Sequence, residues 1–334
     1  MKNILVSLCY PTRNRSSILE QCLRHILGLP CFDDTVQIVI ADNASTDNTK
    51  NVVRQIIRDF PDKNIKYYRQ AKNIGLKNWQ TCLEMGDGVY CKLLNDYTYF
   101  NNDTLQLLKE SVSKYKDCDK EKVYLSFIAN VRDWNSKAPE KTIKGINQYI
   151  LSTNNKLTWV TNFGCFKEQV KELSQYDKYA DKLLDTLYWQ LHFAKSRETC
   201  VLVNITGYYC CFIPQSKRVL TYNFFTPHVV WYYEIISQFT KLTPQEYKFD
   251  RARLITDFVG ESMKQYLIRH ENCAFDLKGS WHILFKYFYD IPSFYRQILE
   301  GYFENAYQHV KNITIKLGLE NFARKVTNKP KRLD

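Results

Sequence analysis

Two aspartates, Asp42 and Asp96, come directly or almost directly after short apolar runs that are rich in strand-forming residues, 36–41 and 89–94. The polar turn around Asp96 then leads to a helix start at residues 102–103. In an open α/β sheet, ligands bind just beyond the carboxyl ends of the strands. A carboxylate at that place can hold a hard divalent cation, and the cation can hold a diphosphate. The pattern therefore predicts a site for a nucleotide diphosphate, with Asp96 at its centre.

The elements that must position these aspartates alternate between strands and helices. Apolar runs of strand length occupy residues 4–8, 36–41, 65–68 and 89–94. Apolar residues at helical spacing occupy two segments between them, residues 18–27 and 52–60. Such alternation with short connections predicts a mostly parallel, doubly wound sheet that is flanked by helices. Because each strand-to-helix turn in this half is polar, the turns along one sheet edge predict a nucleotide cleft.

The composition of the 334-residue chain excludes several classes of protein. The chain contains neither a GxGxxG nor a GxxxxGK[ST] motif, which removes most dehydrogenases and ATPases with an α/β amino-terminal half. The formal net charge of +12 favours anionic partners such as nucleotides, phosphates, acidic lipid or nucleic acid. Nothing in the chain resembles a zinc finger, an RRM signature or a basic zipper. The net charge is therefore the only feature in favour of a nucleic-acid-binding protein. We expect no nucleic-acid partner.

The cysteines and the apolar runs together indicate a cytoplasmic protein. The eleven cysteines include no CxxC pair, and most lie within apolar patterns, where a reduced cysteine acts as a small apolar side chain. The apolar run at residues 4–10 is too short for a secretory signal and stops at Pro11. No run of about 18 apolar residues is present, so we expect no membrane-spanning helix.

Four segments within residues 1–105 together resemble the motifs of family 2 glycosyltransferases with the GT-A fold. Residues 6–15 resemble the opening strand of that family, and residues 38–49 are similar to its second-strand motif. Residues 73–78 resemble its third conserved turn, and residues 93–96 fall where the family has its aspartate-rich metal motif. The four segments occur in the expected order and spacing, which makes the set specific.

The resemblance implies which residues bind the donor nucleotide. Pro11, Thr12 and Arg15 would line the nucleotide pocket. Asp42 would accept hydrogen bonds from the base or the ribose, and the turn at Asn73 would close over the nucleotide. The residues themselves leave a second role open for Asp42, because an aspartate at this place can also cap the helix that follows.

The resemblance also implies that Asp96 coordinates Mn²⁺ or Mg²⁺ through the donor diphosphate. The family's motif supplies two or three aspartates, whereas this chain has Asn95-Asp96-Tyr97-Thr98, with Thr98 where a second carboxylate is expected. Magnesium sites usually combine one or two carboxylates with phosphates and water. Either the donor phosphates supply most of the metal ligands, or lysine and arginine side chains replace the metal in part.

A helix predicted over residues 183–195 supplies the candidate catalytic base. It resembles a late helix of the family that normally opens with a Glu-Asp pair; Leu184 replaces the glutamate and Asp185 matches the aspartate. The resemblance implies an inverting enzyme, which needs a carboxylate to accept the proton of the acceptor hydroxyl. Asp185 is the candidate base and Asp181 its substitute, while a solvated aspartate favoured by the helix dipole is the open structural alternative. We interpret His192, on the same helix, as structural.

The carboxyl-terminal third has a helical pattern from about residue 223 onwards. We therefore predict a GT-A nucleotide-sugar-binding and catalytic domain at residues 1–220 and a helical appendage at residues 221–334. The overall layout resembles the abequosyltransferase-like branch of bacterial family 2 enzymes. Residues 311–334 carry seven Lys or Arg and two acidic residues, a net charge of +5, together with several apolar residues. Such a tail can contact an anionic membrane surface or remain solvated, and the sequence leaves both open.

These observations predict a glycosyltransferase that moves a hexosyl or deoxyhexosyl unit from a nucleotide-diphosphate sugar to a saccharide acceptor. The acceptor is expected to be linked to a polyprenyl diphosphate, in the synthesis of bacterial O-antigen, lipopolysaccharide or capsule. The expected location is the cytoplasm, with peripheral attachment to the inner face of the plasma membrane. The alternative is a catalytically degenerate GT-A-like protein that binds a nucleotide or a sugar, which the reduced metal motif and the missing glutamate suggest.

Overall fold

The structure of the protein is a computed structural model, which describes residues 3–131, 134, 139–211, 222–271 and 273–316, without the side chains of residues 174–181 and 314–316. The chain divides into two compact units. The first contains the described residues up to 211 together with Thr226–Glu246. The second contains residues 222–225 and the described residues from 247 onwards. The predicted domain boundary at residues 220/221 lies outside the described residues.

The strands and helices of the described residues follow the chain in this order. The strands are β1 (Val6–Thr12), β2 (Val36–Asp42), β3 (Asn64–Arg69), β4 (Tyr90–Leu93), β5 (Thr98–Phe100), β6 (Val123–Ala129), β7 (Glu140–Ile143), β8 (Gly164–Phe166), β9 (Thr199–Ile205) and β10 (Tyr208–Cys210). The α-helices are α1 (Ser16–Leu27), α2 (Thr49–Asp59), α3 (Lys77–Met85), α4 (Asn102–Tyr115), α5 (Ile146–Thr153), α6 (Asp185–Ser196), α7 (Tyr232–Phe239), α8 (Pro244–Leu254), α9 (Gly260–Met263), α10 (Ser280–Phe288) and α11 (Pro292–Lys316).

A five-stranded sheet organises the first unit, in the order β3-β2-β1-β4-β8. The first four strands by sequence, β1 to β4, are parallel, and β8 runs antiparallel beside β4. Every residue of β1 and β2 is buried, as expected of parallel strands whose two faces are covered. The prediction of a mostly parallel α/β sheet flanked by helices is therefore confirmed.

The helices cover this sheet through the apolar stripes that the sequence predicts. In α1 the buried residues are Ile18, Leu19, Cys22, Leu23, Ile26 and Leu27. Several of these residues join a core that also contains residues of β1, β2 and α4. Residue Cys82 of α3 is also fully buried, and its Sγ lies 3.6 Å from the carbonyl oxygen of Val39 in β2. The packed helices hold the strands in register and so fix where each strand ends.

Two smaller sheets complete the strand pairing of the first unit. Strands β6 and β9 are parallel, and β7 pairs antiparallel with β9. The short strand β5 follows the turn at Asp96 and pairs antiparallel with β10, which stacks the ring of Tyr99 on that of Tyr209 at 5.5 Å between ring centroids. The Asp96 turn is therefore anchored on both sides, by β4 before it and by the β5–β10 pair after it.

Helix α7 belongs to the first unit, although the sequence prediction placed it in the appendage. The ring of Phe239 packs edge-on against that of Tyr188 in α6, with 4.6 Å between their centroids. Lys195 of α6 donates a hydrogen bond to the carbonyl oxygen of Phe239 at 2.6 Å. Helical periodicity cannot reveal such a partner, because the contacting residues lie more than 40 positions apart in the sequence.

The second unit is helical in its described residues. Its core contains Phe224, whose ring lies 5.0–5.6 Å from the rings of Phe258, Tyr266 and Phe275. Arg251 of α8 donates two hydrogen bonds to the carboxylate of Asp290, at 2.5 and 2.8 Å. None of the helices in the described residues combines the length and the hydropathy needed to cross a bilayer.

Candidate active site

The carboxyl ends of the four parallel strands bring the predicted donor-site residues to one edge of the sheet. Thr12 at the end of β1 lies opposite Asp42 at the end of β2, and Asp42 lies opposite Arg69 at the end of β3. Asp96 follows the end of β4, which pairs with the other side of β1. Pro11 is buried within β1, opposite Ala41. Parallel pairing thus assembles a polar edge from residues that are up to 84 positions apart.

Asp96 is held at this edge by the turn that follows β1. The hydroxyl of Thr12 donates a hydrogen bond to Asp96 Oδ2 at 2.8 Å. Burial raises the pKa of the Asp96 carboxyl above its usual range, while the charge of Arg15, the Thr12 hydroxyl and the backbone N–H of Arg13 act in the opposite direction. The carboxylate is therefore poorly solvated by water and lies close to an arginine, an environment that suits interaction with a further charged group.

Arg15 stands at the amino end of α1 and has hydrogen-bonding capacity to spare. Its Nη1 atom is buried and has no hydrogen-bond partner among the described residues. A buried guanidinium nitrogen without a partner is costly, and a phosphate or carboxylate oxygen is the group that relieves this cost best. Together with the positive end of the α1 dipole, the Arg15 side chain can bind an anion at the edge of the sheet.

A buried lysine fixes the strand that leads to Asp96. Lys92 of β4 is completely buried, and its Nζ donates hydrogen bonds to the carbonyl oxygens of Phe127, Thr161 and Phe163. The backbone N–H of Asn95 donates to Thr161 Oγ1 at 3.0 Å. The segment around Thr161 therefore holds β4 and the Asn95-Asp96 turn together.

Asp42 lies in a closed network at the neighbouring strand end. Its Oδ1 accepts a hydrogen bond from the backbone N–H of Ser45 at 2.8 Å, and its Oδ2 accepts one from the hydroxyl of Tyr67 at 2.8 Å. Nε of Arg69 lies 3.6 Å from the same Oδ2 atom, and Asp42 is fully buried. Both carboxylate oxygens are thus engaged within the protein. Asp42 does not cap the following helix α2, which begins at Thr49 after Asn48; its bond to Ser45 closes the turn after β2 instead.

Tyr67 and Arg69 were not identified from the sequence, although a signal was present. The two residues are two positions apart in β3, which places their side chains on the same face of the sheet. Because β3 neighbours β2, residues of this face near the strand end can reach Asp42. The available clue was a polar side chain within the predicted strand 65–68 and a second one directly after it.

Asn43 joins the first two strand ends to the turn at Asn73. Its backbone N–H donates to the carbonyl oxygen of Thr12 at 2.9 Å. Its side chain accepts a hydrogen bond from the N–H of Ile74 at 2.8 Å and donates one to the carbonyl oxygen of Gly75 at 3.1 Å. Asn73 itself is exposed and accepts a hydrogen bond from the N–H of Gly75 at 3.0 Å. The turn is therefore fixed against the sheet edge by Asn43, and Asn73 shapes it locally.

Backbone strain accompanies the candidate site. Ala44, just after the Asp42 strand end, has a φ of +56°, and Leu183, two residues before Asp185, has a φ of +57°. A left-handed conformation costs a residue with a side chain about 1–2 kcal/mol. Residues held in such conformations cluster at functional sites, because the surrounding structure must impose them. Both positions thus mark turns whose shape is fixed by the fold rather than by local preference.

Asp185 lies at the first position of α6 and lines a cavity of about 340 Å³. The other residues of its lining come from the turn after Asn73, from α3 and from α6: Ile74, Gly75, Leu76, Lys77, Gln80 and Trp189. The structure therefore brings the candidate base together with the turn that was predicted to close over the nucleotide. Among the described residues, the lining includes Asp185 but not Asp96.

Hydrogen bonds nevertheless link the Asp96 edge to the Asp185 cavity without interruption. Asp96 is bonded to Thr12, Thr12 to Asn43, and Asn43 to Gly75, which lines the cavity. The predicted donor-site residues and the predicted base thus belong to one connected region of the first unit.

Two further polar side chains of the cavity were not identified from the sequence. Gln80 and Trp189 are 4% and 3% exposed, and Gln80 Oε1 and Trp189 Nε1 lack hydrogen-bond partners within the described residues. A hydroxyl group of a sugar can donate to the first atom and accept from the second. No local pattern marks these residues, because α3 and α6 meet only in the folded chain.

The residues at the sheet edge fit a divalent cation only with ligands from another molecule. Among the described residues, no cluster of three or more His, Cys, Asp or Glu side chains could hold a metal ion. Asp96 offers one carboxylate, and Arg15 offers a positive charge beside it. This donor set suits a cation that takes most of its oxygen ligands from a diphosphate.

Two other predicted residues of the Asp185 helix region have different outcomes. The side chain of Asp181, the substitute base, lies outside the described side chains. His192 lies 3.3 Å from Glu172, which also binds Arg197 at 2.6 Å, and burial lowers the pKa of His192 against the effect of Glu172. His192 therefore contacts the ion pair of Glu172 and Arg197, which is consistent with its structural interpretation.

The family model and the curated proteins that this chain resembles are all glycosyltransferases. The family model "Glycosyl transferase family 2" matches residues 7–174. Abequosyltransferase RfbV of Salmonella typhimurium is 31% identical over 121 residues, which are 35% of this chain and 36% of that protein. GalNAc(5)-diNAcBac-PP-undecaprenol beta-1,3-glucosyltransferase of Campylobacter jejuni is 30% identical over 114 residues, which are 33% of this chain and 35% of that protein. The chain thus spans about a third of the length of these two relatives.

Solved structures share the fold over most of the chain. TarS 1–349 of S. aureus, crystallised with UDP, matches with a TM-score of 0.52 and 14% identity, covering 99% of this chain and 94% of that one. The mannosyltransferase PcManGT of Pyrobaculum calidifontis, in complex with GDP-Man and Mn²⁺, matches with a TM-score of 0.52 and 16% identity, covering 92% and 88%. At these identities the likeness concerns the fold alone, and it confirms the predicted GT-A architecture.

Proposed function

The chain belongs to glycosyl transferase family 2, and from this premise we propose that it transfers a sugar from a nucleotide-diphosphate donor to a saccharide acceptor. The observation that carries the proposal is the continuous set of contacts from Asp96 through Thr12 and Asn43 to the cavity that Asp185 lines. One end of this region can bind a diphosphate, and the other can bind a sugar beside a carboxylate.

The donor diphosphate binds at the sheet edge in this proposal. Arg15 contributes the charge and the unpartnered Nη1 atom, and the α1 amino terminus contributes its dipole. Pro11 and Thr12 shape the pocket, and the Asn73 turn closes over the nucleotide. Asp42 contacts the base or the ribose after Tyr67 or Arg69 has moved, because both of its oxygens are engaged in the ligand-free protein.

A divalent cation, Mn²⁺ or Mg²⁺, would be held by Asp96 together with the donor phosphates. Bound there, the cation would supply stabilisation of the negative charge on the departing nucleotide diphosphate. The complex of PcManGT with GDP-Man and Mn²⁺ supports this assignment by analogy of fold. Arg15, next to Asp96, contributes to the same neutralisation from the protein side.

Asp185 acts as the general base. Its carboxylate accepts the proton of an acceptor hydroxyl while the hydroxyl oxygen forms a bond to the anomeric carbon of the donor sugar. The bond between that carbon and the diphosphate oxygen breaks, the diphosphate takes the bonding electrons, and the configuration inverts. Asp185 lies at the first position of α6, where the helix dipole favours a negative charge.

The acceptor is a saccharide on a polyprenyl diphosphate, in the synthesis of O-antigen, lipopolysaccharide or capsule. The names of the two sequence relatives, an abequosyltransferase and a glucosyltransferase that acts on an undecaprenol-linked saccharide, support this choice and a hexosyl or deoxyhexosyl donor. A lipid-linked acceptor requires a location at the inner face of the plasma membrane, where the net charge of +5 in residues 311–334 favours anionic lipid.

A catalytically degenerate nucleotide- or sugar-binding protein is the second candidate function. It is favoured by the single carboxylate at Asp96 and by Leu184 in place of the glutamate. Such a protein would bind the donor without transferring or hydrolysing it.

Calorimetric titration with UDP-, GDP-, CDP- and dTDP-sugars, with and without Mn²⁺, tests the donor site. We expect one nucleotide to bind to the wild type and to bind weakly or not at all to Asp96→Ala. Absence of binding by every nucleotide sugar would exclude the transferase. Binding that Mn²⁺ leaves unchanged would exclude the metal assignment and leave Arg15 as the neutralising group.

Asp185→Asn then separates the two candidate functions. We expect hydrolysis of the bound donor, or transfer to an acceptor saccharide, to fall by about 10²- to 10⁴-fold while donor affinity stays within threefold. His192→Asn, on the same helix but paired with Glu172, is the matched control and should leave the rate nearly unchanged. A wild type that binds the donor but neither hydrolyses nor transfers it would instead establish the degenerate protein.

A further inference from the structure

Helix α11 in the second unit carries an exposed apolar face that runs along most of its length. The members are three or four residues apart or adjacent, so they lie on one side of the helix: Tyr295, Leu299, Tyr302, Phe303, Tyr307, Val310 and Ile313. Their exposure ranges from 43% at Tyr295 to 74% at Phe303. With side chains of this size, the apolar face of α11 presents on the order of 600 Å² of accessible surface.

The opposite side of α11 is packed against its own unit. A Cβ atom at Gly301 would lie 2.8 Å from the side chains of Ile268 and Lys264, so the backbones approach closely there. Asn305 donates a hydrogen bond to the carbonyl oxygen of Ile268 at 3.3 Å, and Phe294 is fully buried. The orientation of the helix is therefore fixed by one side, and the apolar face of α11 is left uncovered by the described residues of its unit.

Proteins rarely leave an apolar patch of this size exposed without a partner. Three of its members are tyrosines, whose rings combine an apolar body with a polar tip and suit the boundary between lipid and water. An apolar protein partner would account for the apolar face of α11 but not for the basic sequence segment that follows it.

The positive charge of the sequence segment that begins at the end of α11 indicates which partner this face has. The segment from Lys311 to the end of the sequence carries a net charge of +5, and the whole chain carries +12. An apolar helix face continued by a basic segment is the arrangement that binds the interface of an anionic bilayer, through buried apolar area and electrostatic attraction together. We infer that the apolar face of α11 docks on the surface of an anionic phospholipid membrane, with Leu299, Phe303 and Val310 inserted between the lipids.

Membrane contact through α11 agrees with the membrane location in the proposed function, but it does not depend on catalysis. The contact is made by the apolar face of the folded helix α11, and not by the basic residues of 311–334 alone. The apolar and the basic contributions can therefore be separated by experiment.

Co-sedimentation of the full chain with vesicles tests the inference. The vesicles contain phosphatidylcholine with about 30% phosphatidylglycerol, or phosphatidylcholine alone. We expect the wild type to bind the anionic vesicles at least tenfold more tightly than the neutral ones. The double variant Leu299→Ser/Phe303→Ser should lose at least tenfold in partition coefficient, and Phe303→Trp should retain binding.

The controls use the same helix and the same segment. Gln308→Ser changes an exposed position away from the apolar face of α11 and should bind as the wild type does. Lys329→Gln/Lys331→Gln/Arg332→Gln should weaken binding to anionic vesicles and remove most of its salt dependence, because the electrostatic part is lost. All substituted positions of α11 are exposed, so melting temperatures should stay within about 2 °C of the wild type.

Three outcomes would overturn the inference. The first is no binding of the wild type to anionic vesicles, and the second is binding that Leu299→Ser/Phe303→Ser leaves unchanged. The third is self-association of the wild type in sedimentation velocity that the same double variant abolishes, since the face would then contact a second copy of the chain. Donor titration on each variant separates these outcomes from failure of the transferase proposal, because donor binding requires no membrane.

Discussion

The ends of β2 and β4 present the same residue type at the same edge of the sheet in two different states. Asp42, at the end of β2, is completely buried, and both of its oxygens are bound by Ser45, Tyr67 and Arg69. Asp96, after β4, is only half-buried and is held by the Thr12 hydroxyl beside Arg15.

This difference separates a carboxylate that stabilises the protein from one that is available to a ligand. A buried charge whose partners are all supplied by the protein fixes the geometry around it, and removal of one partner is costly. A carboxylate beside a guanidinium with an unpartnered nitrogen has polar groups that only another molecule can satisfy. The comparison therefore predicts that substitutions at β4 act mainly on activity and those at β2 mainly on stability.

The largest expected effect is that of Asp96→Asn on transfer. The substitution keeps the shape of the side chain but removes the charge that a cation requires, so we expect transfer to fall by about 100- to 1000-fold. The free energy of unfolding should change by less than about 1 kcal/mol, because the Thr12 hydroxyl can still donate to the amide oxygen. Steady-state rates and thermal unfolding measure the two effects on one preparation.

Unfolding of Asp96→Asn at a much lower temperature than the wild type would contradict this expectation. Asp96 would then stabilise the fold as Asp42 does. Asp47→Asn provides a control at an aspartate of the neighbouring turn, whose oxygens bind Ser16 and Thr49. It should leave the transfer rate within a few-fold of the wild type.

The second effect is a loss of stability in Asp42→Ala. The substitution leaves the Tyr67 hydroxyl and the Ser45 N–H without their acceptor, which should lower the free energy of unfolding by about 2–3 kcal/mol. The cost stays below that of a fully buried ion pair, because the Arg69 side chain is 41% exposed. Denaturant unfolding of the wild type, Asp42→Ala and Tyr67→Phe measures it, with about 1 kcal/mol expected for Tyr67→Phe.

Equal stability of Asp42→Ala and the wild type would show that the network at β2 contributes nothing, and the contrast with β4 would disappear. A large loss of donor affinity with unchanged stability would instead mean that Asp42 acts through the donor alone, as Asp96 does, and that its network does not stabilise the ligand-free protein.

The sequence predicts the strand ends but not the state of the residues on them. Strand β2 was predicted at residues 36–41 and is found at Val36–Asp42, because an apolar run that ends in a polar turn is a local signal. The contact between Tyr67 and Asp42 spans 25 residues and depends on the register between β2 and β3. No local pattern indicates whether an aspartate at a strand end is already satisfied.

The same limit applies to the cavity at Asp185. The motif resemblance led to Asp185, but Gln80 and Trp189 became visible only once α3 and α6 were placed against each other. Both side chains are buried with a polar atom that has no hydrogen-bond partner within the described residues, a property that exists only in the folded protein. Helix α11, Pro292–Lys316, in contrast, lies within the segment that was predicted to be helical from about residue 223 onwards, whereas the exposure of its apolar face was not predicted.

Substitutions of Arg15 and Arg69, the arginines beside Asp96 and Asp42, should have effects of intermediate size. Arg15→Gln removes the charge and the unpartnered nitrogen near Asp96, so we expect donor affinity to fall about tenfold with little change in stability. Arg69→Gln removes the partner of Asp42, and we expect a stability loss of less than about 1 kcal/mol and a smaller loss of donor affinity. Calorimetric titration with the donor, with thermal unfolding of the same samples, measures both; equal donor affinities of the two variants would contradict the distinction.

The smallest expected effect is a shift in the pH dependence of the transfer rate when the hydrogen bond from Thr12 to Asp96 is removed. Burial raises the pKa of the Asp96 carboxyl, and the hydrogen bond from the Thr12 hydroxyl opposes this by stabilising the ionised form. Transfer requires the carboxylate, so activity is lost as the pH falls through the pKa of Asp96. In Thr12→Val the opposing hydrogen bond is gone and the pKa lies higher, so the acid limb of the pH–rate profile should move to higher pH. Thr12→Ser retains the hydroxyl and should leave the limb in place. An acid limb that is the same in all three proteins would mean that another group controls it, and that Asp96 is as insulated by its surroundings as Asp42.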